Sequence, residues 1–597
     1  MLRAVGTRIV DGVGKPVYLH GTNFGSWLLV EPWIPNMYPP PRQMLLSAAR
    51  ALGHEEPMRQ ALAALPEGKG QQIWALLAPV KEEYERRAGE GAAAALEQEL
   101  RRSRVHDEHS LWALLERRFG RRKMEELRQG FRRSWITEAD VLRVKHAGLN
   151  LVRVPFWYRL LEDDERPGRY RAEGWRWLDA VVGWCRKHSV YCLLDMHGTP
   201  GGQNDAGHSG QGGRSELWQS ESFRRRTVAL WRAIARRYAR EEAVAGYDLM
   251  NEPWGAATPM DLHDFHDRLY RAVREVDPHH LVFMEEAYKG LWTFPDPAAR
   301  GWQNVVYSIH FYLQGATGLG SWEAFVRYQL PQWHLLAESY GVPLFVGEFC
   351  AADEATGGAA AMDLLFREFG RYGFHWAPWT FKKVDAGPPY SLWGLYRWEG
   401  EWRGMDLASD SLESIQEAFA RYDTAHMLPH AAYLEAVKRN AGRTPDKRLL
   451  DRAHRQAEEL IPRLRVEMAK PLTEEEVERA LELVVQIAPL FAYVDGKGVY
   501  FLESGPFFFE LFPQVPPEVE AAIKRAFGSV AAFSSVWMRL SAGTFFVPRS
   551  WPRAIEAGLT VAPETVAVLT RMKPRIDQAA ARIAGMPEGS TVDVTQP

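Results

Sequence analysis

Cysteine is scarce in this chain. Cys185, Cys192 and Cys350 are the only three in 597 residues, an odd number with no CxxC pair. That excludes a disulfide framework, argues against a thiolate zinc site and leaves buried free thiols as the reading. No stretch reaches the roughly 18 consecutive apolar residues of a membrane helix. The opening MLRAVGTRIVDG lacks the apolar run of a signal peptide, so no membrane span and a cytoplasmic location are expected. Neither charge dominates: the formal net charge is -3, which removes the electrostatic case for nucleic acid or an anionic membrane as partner. There is no GxGxxG after the first strand and no Walker pattern. His263 and His266 in DLHDFHD have ligand spacing but no third ligand, and are read as one face of a surface helix. Neither a metal nor a cofactor is expected.

What the chain does contain is a repeated alternation. Eight apolar, β-branched-rich runs are spaced through its first 438 residues: 17–25, 149–155, 190–198, 244–253, 281–287, 305–312, 342–349 and 374–382. Amphipathic helical stretches separate most of them, such as SFRRRTVALWRAIARRYAR at 222–240. Eight such units predict an α/β fold of the (β/α)8 barrel type over 1–438, with chemistry at the C-terminal ends of the strands. A charged, helix-rich insertion is expected at about 36–134, after the first strand, its middle solvated and its flanks available to wall the active-site mouth. A polar stretch at 439–448 (RNAGRTPDKR) reads as a linker. Beyond it, 449–597 is expected to be a C-terminal α+β accessory domain, with a capping box at Thr473–Glu476 and a hairpin at 494–512 around Asp495-Gly496. Such a domain leaves room for a homo-oligomer, covering the pocket mouth of its own barrel or of a neighbour.

Two of the runs end alike. VAGYDLMNEPWG delivers Glu252, and VPLFVGEFC delivers Glu348, each at the lip of an apolar strand where ionisation is costly. Paired carboxylates at barrel strand ends are the equipment for glycosidic bond cleavage, one protonating the departing oxygen while the other attacks or directs water. Tryptophan is abundant, with 23 residues, and indole faces stack on sugars as well as packing cores.

NEP at 251–253, GEF at 347–349, VRVPFWY at 152–158, DMHG at 195–198, IHFY at 309–312 and PWTFK at 378–382 together resemble the glycoside hydrolase family five barrel, a clan A retaining hydrolase. GTNFGSWLLVEPW (21–33), SWITEADVLRVKHAGLNLVRVPFWY (134–158) and HGTPGGQNDAGHSG (197–210) are similar to its exo-β-1,3-glucanase branch, so the likeness spans about 1–430. The resemblance implies Glu252 as acid/base and Glu348 as nucleophile. It also implies Arg153 and Tyr312 holding Glu348, Asn251 on the sugar 2-hydroxyl, His197 at the sugar subsite and His310 beside the acid/base. Trp379 would floor the site, and Glu31 would grip hydroxyls of the terminal sugar. Asn204 is assigned to substrate binding from the loop after the third strand. That loop departs from the branch pattern at 205–208, which reopens the choice of sugar and linkage, and Lys382, Lys383 and Asp385 near the eighth strand either read hydroxyls or are solvated. The expected function is a retaining, exo-acting β-glycosidase releasing terminal glucose from glycosides or oligosaccharides. Alternatives are a β-mannosidase, an endo-β-glucanase and a non-catalytic sugar-binding protein.

Overall fold

The computed structural model describes residues 1–597 except 40, 64–72, 104, 257–258, 287–290, 292–293, 314–317, 386–389, 401, 403, 452–454, 456–465, 467–468, 488–516, 545–561 and 584–597. The eight runs are eight parallel strands: β1 (Gly21–Asn23), β2 (Leu151–Trp157), β3 (Tyr191–Gly198), β4 (Val244–Asp248), β5 (Leu281–Glu285), β6 (Val305–Phe311), β7 (Leu344–Phe349) and β8 (His375–Trp376). They neighbour one another in chain order, and the two ends of the sheet meet through the Trp376 N–H, which donates to Leu19 O at 2.9 Å, beside a His20–Trp376 bridge. The result is the (β/α)8 barrel that the alternation predicts.

Side-chain alternation along each strand separates chemistry from packing. On β2, Val152, Val154 and Phe156 join the large core between sheet and helices, whereas Leu151 joins the plug of Leu193, Leu281, Phe283 and Phe345. Arg153 shares the parity of Leu151 and stands one layer above that plug. The helix Glu221–Tyr238 illustrates the outer layer. Ser220 caps it by accepting from the Phe223 N–H, and Thr227, Leu230, Trp231, Ile234 and Tyr238, three or four apart, are buried. Each such large apolar side chain contributes about 1.5–3 kcal/mol by leaving water.

The insertion is entirely helical where described. Pro41–Ala51, Glu55–Ala63, Ile73–Ala88 and Ala92–Ser103 enclose a small core of their own around Leu45, Met58, Tyr84 and Leu96. A fifth helix, Glu108–Trp135, kinks at Gly120 and packs into the barrel's core instead. Beyond the barrel, residues 440–446 are fixed to its N-terminal end: the Gly442 N–H donates to His20 Nδ1 at 3.0 Å and the Asp446 N–H to Arg371 O at 3.0 Å. The described part of 449–597 is helical, with Glu474–Ile487, Pro517–Phe527, Val530–Thr544 and Pro563–Ile583 sharing a core around Val484, Ile523, Trp537 and Leu569. The hairpin expected at 494–512 lies outside the described residues.

One expectation changes. His263 and His266 are buried rather than solvated, at 2% and 0% exposure, with His263 against the Phe294 ring at 4.9 Å. Burial pushes His266 down to about 3, so it packs as a neutral ring. Among the described residues, no helix is long and apolar enough to cross a membrane.

The capping box is present, with the Glu476 N–H donating to Thr473 Oγ1 at 3.1 Å and the Thr473 N–H to Glu476 Oε2 at 2.9 Å. Thr473→Ala is expected to loosen the helix Glu474–Ile487 by about 1 kcal/mol. Hydrogen exchange should register the loss in the first turn of that helix while barrel amides keep their protection; uniform loss in both would contradict it.

Candidate active site

Glu348 is the fifth residue of β7, and Glu252 lies four residues past β4. Both are nearly buried, and one oxygen of each carboxylate, together with a His310 ring nitrogen, forms a group whose members all lie within 4.8 Å of one another. His310 Nδ1 stands 3.0 Å from Glu252 Oε1 and 3.8 Å from Glu348 Oε1. A register shift in the β6–β7 ladder between Ile309 and His310 brings His310 opposite Glu348, the re-aiming that strand irregularities produce. Residue 347 has to be glycine, because a Cβ there would lie 2.6 Å from His310 Nε2.

Glu252 adopts φ +45, a left-handed conformation that costs a non-glycine residue on the order of 1–3 kcal/mol. Its surroundings compensate. The Glu252 N–H donates to Glu285 Oε2 at 2.7 Å, and the Asn204 amide donates to Glu252 O at 2.8 Å. One residue earlier, the Gln203 amide donates to Asn251 O at 2.8 Å. The loop after β3 therefore holds the backbone that presents the carboxylate.

Arg153 stands beneath, fully buried. Its guanidinium reaches Asp248 at 2.8 Å, Glu285 and Glu348 at 2.9 Å and Asp195 at 3.1 Å, and donates further to Asn251 Oδ1 at 2.9 Å and Asn23 Oδ1 at 3.1 Å. Burial alone would depress the guanidinium, yet these carboxylates raise it well above its ordinary value. One cation does not balance four anions in a dry site. Burial accordingly pushes Asp195 up to about 7 and Glu285 well above the usual carboxylate range, the latter reinforced by Asp248. Tyr312 donates to the second oxygen of Glu348, Oε2, at 2.8 Å.

Above this cluster opens a cavity of about 300 Å3, at the small end of the roughly 300–1,000 Å3 range of small-molecule sites. Glu252, Glu348, Asn251, His197, Tyr312, Trp379 and Glu31 line it, as do four residues the sequence reading did not select: Trp33, His208, Trp254 and Trp393. His197 stacks on Trp379 at 5.4 Å while its Nδ1 faces Asp195 Oδ2 at 2.6 Å. The Asn251 side-chain nitrogen is buried with no hydrogen-bond partner among the described residues, leaving its donors to the cavity. Glu31 receives the Trp33 indole N–H at 2.9 Å on Oε2, and its Oε1 is buried with no partner among the described residues. Burial, opposed by that hydrogen bond and reinforced by Glu348 and Glu252, lifts Glu31 to about 8.

Two assignments shift. Asn204 is absent from the lining and fully buried, its amide bonded to Glu252 O, His208 and the Ala206 N–H; it positions the loop instead of meeting a substrate. Arg153 pairs with Glu348, as the resemblance implies, from below the cavity. Lys382 neither reads a ligand nor faces solvent: buried over the Trp135 ring, it donates to Tyr422 O at 2.6 Å and Thr424 Oγ1 at 2.9 Å. Lys383 pairs with Asp385.

One side of the mouth is braced by the last helix of the insertion. Glu108 Oε2 accepts the Val30 N–H at 2.7 Å, beside Glu31, while the His109 N–H donates to Gly210 O at 3.0 Å and Asp107 Oδ2 accepts the Gly212 N–H at 2.7 Å. The same helix thus holds the loop that bears Glu31 and the loop that bears His208.

Residues 122–385 match the family model described as Cellulase (glycosyl hydrolase family 5). Among curated proteins, the chain is 36% identical over 195 residues to a Beta-xylosidase of Phanerodontia chrysosporium, covering 32% of this chain and 41% of that protein. It is 31% identical to a Glucan 1,3-beta-glucosidase of Candida oleophila, covering 30% and 44%, and 28% identical to Endoglucanase C of Acetivibrio thermocellus, covering 30% and 51%. In each case the matched segment spans about half or less of the relative's length.

The Glu31 proton predicts a pH dependence. The folded chain keeps it up to about 8, whereas the ordinary value is 4.5, so its ionisation destabilises the fold progressively between those limits and not below them. The melting temperature of Glu31→Gln relative to the native protein is therefore expected to rise from pH about 4.5 to about 8 and then level off; a constant difference would contradict the buried, protonated carboxyl.

Proposed function

We propose that this chain, whose barrel matches the glycosyl hydrolase family 5 model over residues 122–385, is a retaining, exo-acting β-glycosidase that releases a terminal β-linked sugar, glucose in the first instance, from glycosides or short oligosaccharides. The observation that carries the reading is the pair of carboxylates with oxygens within 4.8 Å, opening on one small aromatic-walled cavity. Retaining enzymes hold their carboxyl groups about 5–5.5 Å apart, whereas inverting enzymes need about 6.5–9.5 Å to admit water.

In the first step a Glu348 oxygen attacks the anomeric carbon as Glu252 gives its proton to the departing glycosidic oxygen. The bond to the leaving group breaks and a glycosyl ester forms. In the second, Glu252 takes a proton from water, the hydroxide attacks the same carbon, and Glu348 leaves as carboxylate. Arg153 and Tyr312 occupy one oxygen each of Glu348, aiming it and dispersing its charge when it is released. Asn251 offers its unpartnered N–H donors to the 2-hydroxyl, and Glu31 faces the same cavity with an unsatisfied oxygen suited to another hydroxyl. Trp379, stacked on His197, supplies an apolar face for the ring.

The small cavity and the helix-braced wall support exo action over an open endo cleft. A β-mannosidase is the nearest alternative from the residues alone, and the Beta-xylosidase relative brings a sugar without the hydroxymethyl group into the same comparison.

Nitrophenyl β-glucoside, β-mannoside and β-xyloside, incubated in parallel, test the assignment. Release is expected from the glucoside, with the β-anomer as first product; fast release from another sugar alone reassigns the subsite, and release from none removes exo action. Glu252→Gln should slow alkyl glycosides by about 100-fold or more and activated aryl glycosides far less. Equal slowing would take Glu252 out of the acid role.

A further inference from the structure

Resting on that reading of Glu252, we propose that His208, delivered by the loop after β3, is a positioning residue for the acid: a neutral imidazole whose Nε2 accepts a hydrogen bond from the protonated Glu252 carboxyl, held in that form by Asn204.

The geometry fixes which nitrogen does what. His208 Nε2 lies 3.2 Å from Glu252 Oε2 and 3.1 Å from Asn204 Nδ2. The orientation of the Asn204 amide is set by two backbone groups that admit no exchange: its oxygen accepts the Ala206 N–H at 3.0 Å and its nitrogen donates to Glu252 O at 2.8 Å. The second Asn204 N–H is therefore aimed at His208 Nε2, which has to be the bare, accepting nitrogen. A bare Nε2 facing a carboxylate would set lone pair against lone pair. That repulsion is relieved when Oε2 carries the proton, which then shares the Nε2 lone pair with the Asn204 N–H. The other carboxyl oxygen, Oε1, faces His310 Nδ1 at 3.0 Å, so the two imidazoles give the carboxyl's two oxygens different partners.

The remaining surroundings agree with a neutral pair. From β6 and β7 the Glu252 carboxyl is faced by His310 and Glu348, and from β5 Glu285 takes its backbone N–H; Glu31 and Asp195 add like charge when ionised. His208 is faced by Glu252, by the His197 ring at 5.9 Å and by Trp254 edge-on at 5.2 Å, with Asp195 below. Its side chain is 20% exposed, against 6% for that of Glu252. When the carboxyl gives its proton to the leaving group, the contact with Nε2 loses its hydrogen bond. That makes the protonated acid the state the loop favours, and reprotonation the step it assists.

A hydrogen bond accepted from the protonated form should hold the proton to higher pH. The alkaline limb of kcat/KM on an alkyl β-glycoside, which reports the acid in the free enzyme, is expected to move down by about half to one pH unit in His208→Ala. His208→Gln, which can still present an accepting oxygen, should restore part of the shift. A limb unmoved in His208→Ala, with only a lower kcat, would mean packing alone and overturn the proposal; a limb moved upward would mean that His208 donates, and overturn it as well. Selective 15N-histidine labelling gives a second readout on the intact protein: the signal lost in His208→Gln should have a pyridine-like Nε2 and a protonated Nδ1 at neutral pH, and the reverse tautomer or an imidazolium would refute the assignment. Failure of the acid reading is distinguishable, because it appears in Glu252→Gln as equal slowing of alkyl and aryl substrates whatever residue stands at 208.

Discussion

The site is organised around a guanidinium with no route to water. Arg153 spends its Nε on Asp248, Nη1 on Asn23 and Glu348, and Nη2 on Asn251, Glu285 and Asp195, so one planar group indexes residues from six of the eight strands, its own included, or their immediate continuations. Arginine suits this because its donors diverge in a fixed plane and its charge persists when buried. Lysine would offer a point charge and lose the geometry. Removing one member of a buried ion cluster leaves the others uncompensated, typically at about 3–5 kcal/mol. The cluster is thereby a fold constraint and a catalytic one at once. Burial pushes Asp195 and Glu285 up from the usual carboxylate range, which eases the excess negative charge around the single guanidinium.

A second layer of support comes from a loop. Gln203 and Asn204 bond the carbonyls of Asn251 and Glu252, and Glu285 takes the N–H of Glu252, so three hydrogen bonds hold a backbone turn that the residue alone would not choose. The strain is local and the compensation is remote in sequence. This is how a flexible side chain is given a fixed origin without rigid secondary structure around it.

The sequence makes the barrel legible because eight apolar, β-branched-rich runs are separated for the most part by amphipathic helical stretches, and the strand ends are marked by polar residues that break the apolar pattern. Glu252, Glu348, Asn251, His310 and Tyr312 all sit at such breaks, and the structure brings them together. Asp195, Asp248 and Glu285 are harder to see: each is one carboxylate inside a strand, and only the closed sheet reveals that they share Arg153. Trp33, Trp254 and Trp393 were hidden by the abundance of tryptophan, most of which packs the core. His208 was visible in the departing loop, but its target lies 44 residues away. His263 and His266 misled because charged neighbours at helical spacing suggested a solvated face, whereas packing against Phe294 decided otherwise. Asn204 misled in the opposite sense, being polar, near the site and yet spent on backbone.

The helix Glu108–Trp135 grips the segment before Glu31 with one acidic side chain and the segment after His208 with another. Two loops of the pocket are in this way moored to a single beam supplied by the insertion. Because one of those loops also carries Asn204 and His208, a change in the beam would reach the acid as well as the pocket wall.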